Sequence, residues 1–319
     1  RACPVVRRAL AYDVRRGAGS VGSHVRDAAC YVCWSFARAY SPQVLGPHLP
    51  GLCDSMLSAA LLDREVNVRR AAAAAFQASL RLELRHKTAA HDGQHGDRAQ
   101  GSGVAHGIDI ITAADYFSLG NRQQAYLQIT KTVAAFIRYR HHLVDCLRED
   151  RLRHWDPEIR RLAALALHNI TELEPNYMAD VVLPATLRDS LSPDLMTRHG
   201  ACLATAEVTL ALGKVPHALS RETLAGLVGV VPALEKARLY RGRGGELMRQ
   251  AACRVVECLA LIKADVAVKT QLRLLDSVDE SVKHPVEAVQ LAAVAALKAM
   301  LKNWFPVGKD GPSERLQRR

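Results

Sequence analysis

Thiols and imidazoles are the groups in this sequence best suited to chemistry. Cys30 and Cys33 form a Cys-x-x-Cys pair inside "VRDAACYVCW" (25–34). That spacing serves a redox dithiol when the first sulfur opens a helix that follows a strand, and half a zinc site when a second pair stands elsewhere. Here a helix is expected to begin near Ser23, which puts Cys30 about two turns inside it. The nearest second pair, Cys253-x4-Cys258, lies in another apolar helical stripe. Both pairs are therefore expected to be buried structural thiols. Ala29, Val32, Cys33 and Phe36 recur at helical spacing, with Cys30 beside that face.

His86, His91, His95 and His106 could ligate a metal, but their segment is polar and broken by glycine, with no apolar scaffold to fix a geometry. It reads as a disordered surface loop over 84–107. In "LYRGRGGELMR" (239–249), Gly242, Gly244 and Gly245 precede a helix whose first amides could hold phosphate. No GxxxxGK[ST], GxSxG or HExxH accompanies them. The glycines read as a tight inter-helix turn. His168 and His199 fall on helical stripes and are expected to be hydrogen-bonded packing residues. No acid, base and nucleophile share a cleft, so the chain is read as a non-enzyme with no catalytic residue, no cofactor and no metal.

The elements that position these residues repeat. "SHVRDAACYVCWSF", "VNVRRAAAAAF", "PEIRRLAALALHNI", "DLMTRHGACLATAEV", "ELMRQAACRVVECLALI" and "HPVEAVQLAAVAALKAM" share an aliphatic residue, then usually arginine, then small residues and a helical apolar stripe. Aligning Arg26, Arg69, Arg160, Arg198, Arg249 and Gln290 gives separations of 43, 91, 38, 51 and 41. These scatter about the ~40–47 residues of a two-helix solenoid repeat, with one double interval. A second helical stretch precedes each copy across a short turn. Pro157 and Pro193 suit a helix start, with Asp156 and Ser192 as caps. The small residues let the paired helices approach closely. The arginines are expected to form a structural ladder with acidic residues of their own or the next turn. The fold class that follows is all-α: an α-solenoid of HEAT/armadillo-like helical hairpin repeats, one segment over 1–319, with a disordered tail over 306–319.

The chain has 319 residues, 49% hydrophobic and 5% aromatic, rich in alanine and leucine. This is a helix-forming balance with ample material for a core. The net charge of +11, mostly arginine, favours an acidic partner. No basic arm or basic–aromatic interleaving points to nucleic acid. No apolar run approaches the ~18–20 residues of a membrane span. The cysteines within helical stripes fit a reducing compartment. The chain begins without methionine, in mid-pattern, as a piece of a longer protein would. One stretch, "HGIDIITAADYFSLGNRQQAYLQI" (106–129), breaks the repeat and fills the double interval. It is either a contact surface or a degenerate repeat. Asp115 and Arg122 within it, and Arg241 and Arg243 in the glycine-rich turn, are the candidate partner-binding residues, each with local structure as the alternative role.

The strings at 22–43, 63–77, 106–122, 154–170, 191–208 and 239–251, in this order, resemble the middle HEAT-repeat region of the tubulin-folding cofactor D family. The likeness covers most of 9–251 and weakens over 82–104 and after 262. It implies a cytosolic, cytoskeleton-associated scaffold that captures β-tubulin and, with cofactors E and C and a small Arf-like GTPase, helps assemble and take apart the α/β-tubulin heterodimer. In that family GTP is hydrolysed by tubulin and the stimulating arginine is understood to come from cofactor C, so no catalytic role carries over to this chain. The alternative is a general HEAT-repeat adaptor for another acidic protein or nucleic acid.

Overall fold

The computed structural model describes residues 2–17, 19–91 and 104–305, and the side chains of all of these but 84–91. The chain divides into two compact units, Arg1–Cys146 and Leu147–Arg319. In the first, α1 (Ala2–Leu10) leads through a short hairpin, β1 (Val14–Arg16) and β2 (Gly19–Val21), into α2 (Ser23–Ala39). The hairpin pairs Val14 with Val21 and Arg16 with Gly19, and nothing in the repeat pattern announced it. Then come α3 (Pro42–Leu45), a 3-10 turn, α4 (Leu49–Leu62) and α5 (Val66–His91). The atypical stretch forms α6 (Gly107–Ala113), α7 (Arg122–Gln124) and a π turn over Ala125–Ile129, and α8 (Thr130–Ala134) and α9 (Ile137–Asp145) follow it. In the second unit, α10 (Pro157–Thr171) is followed by α11 (Pro175–Tyr177), α12 (Leu183–Asp189) and α13 (Leu195–Leu212). The hairpins α14 (Arg221–Lys236) with α15 (Gly245–Leu261) and α16 (Val268–Val282) with α17 (Glu287–Asn303) complete it.

Two kinds of packing build each unit. Helices pair within a hairpin, as α4 with α5 and α16 with α17, and second helices also stack on one another: α2 on α5, and α10, α13, α15 and α17 in series. The small residues serve both interfaces. Helix α13, held between α10, α12 and α15, is buried nearly all round, including Gly200, Ala201, Ala204 and Ala206. A Cβ at Gly200 would strike the backbone of Leu152, so only glycine permits that approach.

The arginine expectation holds in position and changes in chemistry. Arg26, Arg69, Arg160 and Arg198 are all buried. Arg26 does find a carboxylate in the next turn, donating from Nε and Nη2 to Asp63 at 2.6 and 3.1 Å. The other three turn back on the main chain. Arg69 Nη1 donates to the carbonyls of Asp63 and Arg64, both at 3.1 Å. Arg160 Nη1 donates to those of His154 and Trp155 at 2.6 and 3.1 Å, and Arg198 Nη1 to those of Ser192 and Pro193 at 2.6 and 3.0 Å. Gln290 repeats the bond with Nε2 on the His284 carbonyl at 2.8 Å. The tight turn before each second helix leaves converging carbonyls without N–H partners, and a guanidinium fork satisfies two at once. Arg249 departs from the pattern and lies over the Tyr240 ring at 5.2 Å.

Capping agrees at one site and shifts at the other. Asp156 caps α10, accepting from the Glu158 amide at 2.9 Å, with Pro157 at the first helical position. Ser192 does not cap α13. That helix starts at Leu195, and Asp194 caps it through the Thr197 amide at 2.7 Å, because its carboxylate reaches the third helical amide once Pro193 has set the turn. The loop expected over 84–107 lies mostly outside the described residues; α5 runs to His91 and the chain is described again from Val104. The tail expected over 306–319 lies outside them too.

Candidate partner-contact site

The cysteines are part of the core. Cys30 and Cys33 are each 1% exposed, on a face made by Arg26, Ala29, Cys30, Cys33 and Ala37, so Cys30 belongs to that face rather than beside it. Burial is the main cause that pushes both up to about 12, which leaves neither as a thiolate near neutrality. Burial raises Cys258 as well. Among the described residues no group of three or more His, Cys, Asp or Glu is placed to hold a metal ion. Of the four histidines weighed as ligands, only His106 has a described side chain, and it stacks on Phe136 at 4.2 Å.

The atypical stretch builds a ledge in the first unit. Arg69 Nε and Nη2 grip the carbonyls of Leu119 and Gly120 at 2.9 and 3.1 Å. Arg70 Nε donates to the Tyr116 carbonyl at 3.0 Å, its Nη1 donates to the Tyr116 hydroxyl at 3.2 Å, and its guanidinium lies 3.9 Å from the Tyr116 ring centre. Asp115 Oδ1 accepts from the amides of Phe117 and Ser118 at 2.7 and 3.0 Å, and these bonds hold its carboxyl below the usual range. Tyr126, fully buried behind the loop, donates its hydroxyl to the Leu62 carbonyl at 2.6 Å. The loop is thus fastened along its length, yet it carries Phe117 at 84% exposure, with Tyr116 and Ile108 both at 60%. A large apolar ring held out on a rigid loop loses little further entropy on contact, which is the condition for a binding anchor.

The four sequence-predicted residues take different places around such surfaces. Asp115 shapes the ledge from within, and Arg122 begins α7 just beyond it, its Nε buried and without a hydrogen-bond partner. Arg122 also lies near enough to Arg69 to lower its pKa, after burial, the larger cause. Arg241 and Arg243 lie in the second unit, exposed on the turn before α15. Gly242 and Gly244 hold φ of 77° and 85° there, as a glycine turn requires. Phe117, Tyr116 and Arg70 went unremarked in the sequence; the signal available was an adjacent aromatic pair in an otherwise polar turn.

Residues 1–86 match the family model described as tubulin-specific chaperone D-like, ARM repeats. The chain is 32% identical over 309 residues, 94% of its length, to the tubulin-specific chaperone D of Dictyostelium discoideum. Along most of its length the chain is thus similar to a tubulin-specific chaperone D. It is also 29% identical over 184 residues, 58% of its length, to the tubulin-folding cofactor D of Schizosaccharomyces pombe. It spans 19% and 15% of those two relatives' lengths. The repeat fold read from arginine spacing agrees with the ARM repeats of the chaperone D-like model. Among the described residues, no helix is long and apolar enough to cross a membrane.

Proposed function

We propose that this chain is a non-catalytic scaffold segment of a tubulin-folding cofactor. It captures β-tubulin and, with cofactors E and C and a small Arf-like GTPase, serves the assembly and disassembly of the α/β-tubulin heterodimer in the cytoplasm, next to the cytoskeleton. The observation that carries this reading is the 32% identity to a tubulin-specific chaperone D across 309 residues. The rigid Phe117 ledge supports it as an anchor for a folded partner, and the net charge of +11 supports an acidic one. The burial of Cys30 and Cys33 supports a structural role for that pair.

The test is retention of purified tubulin by the immobilised chain at low and moderate salt, beside Phe117→Ala. The wild type should retain tubulin, less at the higher salt, and the variant should retain at least tenfold less with unchanged thermal stability. A wild type that retains none at either salt overturns the capture reading. Equal retention by the variant removes the ledge from it.

A further inference from the structure

Within the second unit, the stacked helices α10, α13 and α15 leave a groove of about 520 Å³. Its floor is apolar, from Leu165, Leu203 and Leu247, each only half-buried. Its charges are closed among themselves. Arg161 holds Glu158 through two bonds of 2.8 and 2.7 Å. Glu207 accepts from Arg254 Nε at 2.8 Å and pairs with His168 Nδ1 at 3.1 Å. Burial works to raise Glu207, but these two bonds outweigh it and keep the carboxylate ionised. Arg254 Nη1 reaches Glu257 at 2.7 Å as well. The groove therefore offers no unmatched charge to a ligand.

It does offer an unmatched donor. His199, 4% exposed, accepts from Arg160 Nε on Nδ1 at 3.0 Å. A guanidinium has only hydrogens to give, so Nδ1 is bare and Nε2 carries the ring hydrogen. Burial and the adjacent guanidinium keep the imidazole neutral, its pKa pulled down to about 3. His199 lines the groove, and its Nε2–H has no partner among the described residues. The side chain of Gln250, on the rim within α15, has no hydrogen-bond partner among them either. A donor that opens into the groove beside an apolar floor suits an uncharged acceptor that brings apolar side chains with it. A main-chain carbonyl in an extended segment meets both needs. Three stacked helices ~9 Å apart span enough length for about six extended residues.

We propose that this groove holds an extended, uncharged segment of the captured tubulin chain, with a main-chain carbonyl on His199 Nε2–H and an apolar side chain on the leucine floor. This rests on the tubulin-capture reading above. The test offers native α/β heterodimer and refolding β-tubulin to the wild-type chain and to Leu203→Glu, which sets a carboxylate in the floor. Wild-type retention of either probe, with at least tenfold less retention by the variant at an unchanged melting temperature, is the expected result. Equal retention by a stably folded variant overturns the groove while leaving capture intact. Wild-type failure on both probes overturns capture and the groove with it. Should Leu203→Glu melt early, a photo-crosslinking benzoylphenylalanine at Gln250 decides: the expected adduct maps to one tubulin segment, and no adduct with retained tubulin overturns the proposal.

Discussion

Replacing Asp63 with alanine should destabilise the first unit severely. Asp63 is 1% exposed and does three jobs at once. Its carboxylate binds Arg26 by two bonds of 2.6 and 3.1 Å, Oδ1 accepts from the Glu65 amide at 2.8 Å as α5 begins, and its carbonyl takes Arg69 Nη1. Alanine keeps only the carbonyl. Arg26 then remains buried with the Tyr12 carbonyl at 2.7 Å and a longer contact to Asp13 at 3.3 Å. Stranding one member of a buried pair costs about 3–5 kcal/mol, and losing a side-chain bond to a helix-start amide about 1 more. Since Asp13 offsets part of the stranded charge, a total of about 3–5 kcal/mol is expected. Asp63→Asn separates the terms: the amide oxygen still accepts from Glu65, so about 2–4 kcal/mol should remain from the charge alone. Arg26→Met with Asp63→Leu should recover most of the loss, because a well-packed apolar pair replaces the ions without desolvating them. Urea unfolding followed by helical ellipticity measures each loss, with the transition of unit one fitted separately from that of unit two. If both single variants lose under about 1 kcal/mol, or the double variant is as unstable as the sum of its parts, the Arg26–Asp63 link does not join α2 to the turn before α5.

Two further outcomes follow from the packing. Gly200→Ala should lower the melting temperature through a loss of about 2–3 kcal/mol, the reverse of the gain of ~1 kcal/mol that alanine usually brings inside a helix, because its Cβ meets the Leu152 backbone rather than a movable side chain; a rise in melting temperature refutes the close approach. In native buffer at pH 8, a disulfide reagent should spare Cys30 and Cys33 and reach only the half-buried Cys3 and Cys146; mass spectrometry showing either core thiol labelled before unfolding contradicts the burial that shapes α2.

What the sequence disclosed depends on how local the physics is. The second helices were legible because arginine, small residues and an apolar stripe recur within one helix, and burial must follow that period. Arg26, Arg69, Arg160 and Arg198 were legible as a set, but not their partners. A side chain's partner is chosen by whatever the turn presents, and three of the four turns present carbonyls, which every residue carries and no sequence advertises. The same limit hid the two proposed contact surfaces. Phe117 looked like one apolar residue among several in a broken repeat. Its exposure is imposed from elsewhere, by Arg69 and Arg70, which hold the loop from α5 some 46 to 51 residues away. His199 read rightly as a hydrogen-bonded packing residue, yet its free edge exists only because Arg160, one repeat earlier, occupies the other. In a stacked-repeat protein each unit repeats the scaffold, and function is written in what one unit does to its neighbour's side chains. Arg122 makes the same point: at the start of α7 its buried Nε has no hydrogen-bond acceptor and its guanidinium stands near the like charge of Arg69, a placement set by α5 and not by its own neighbours in sequence.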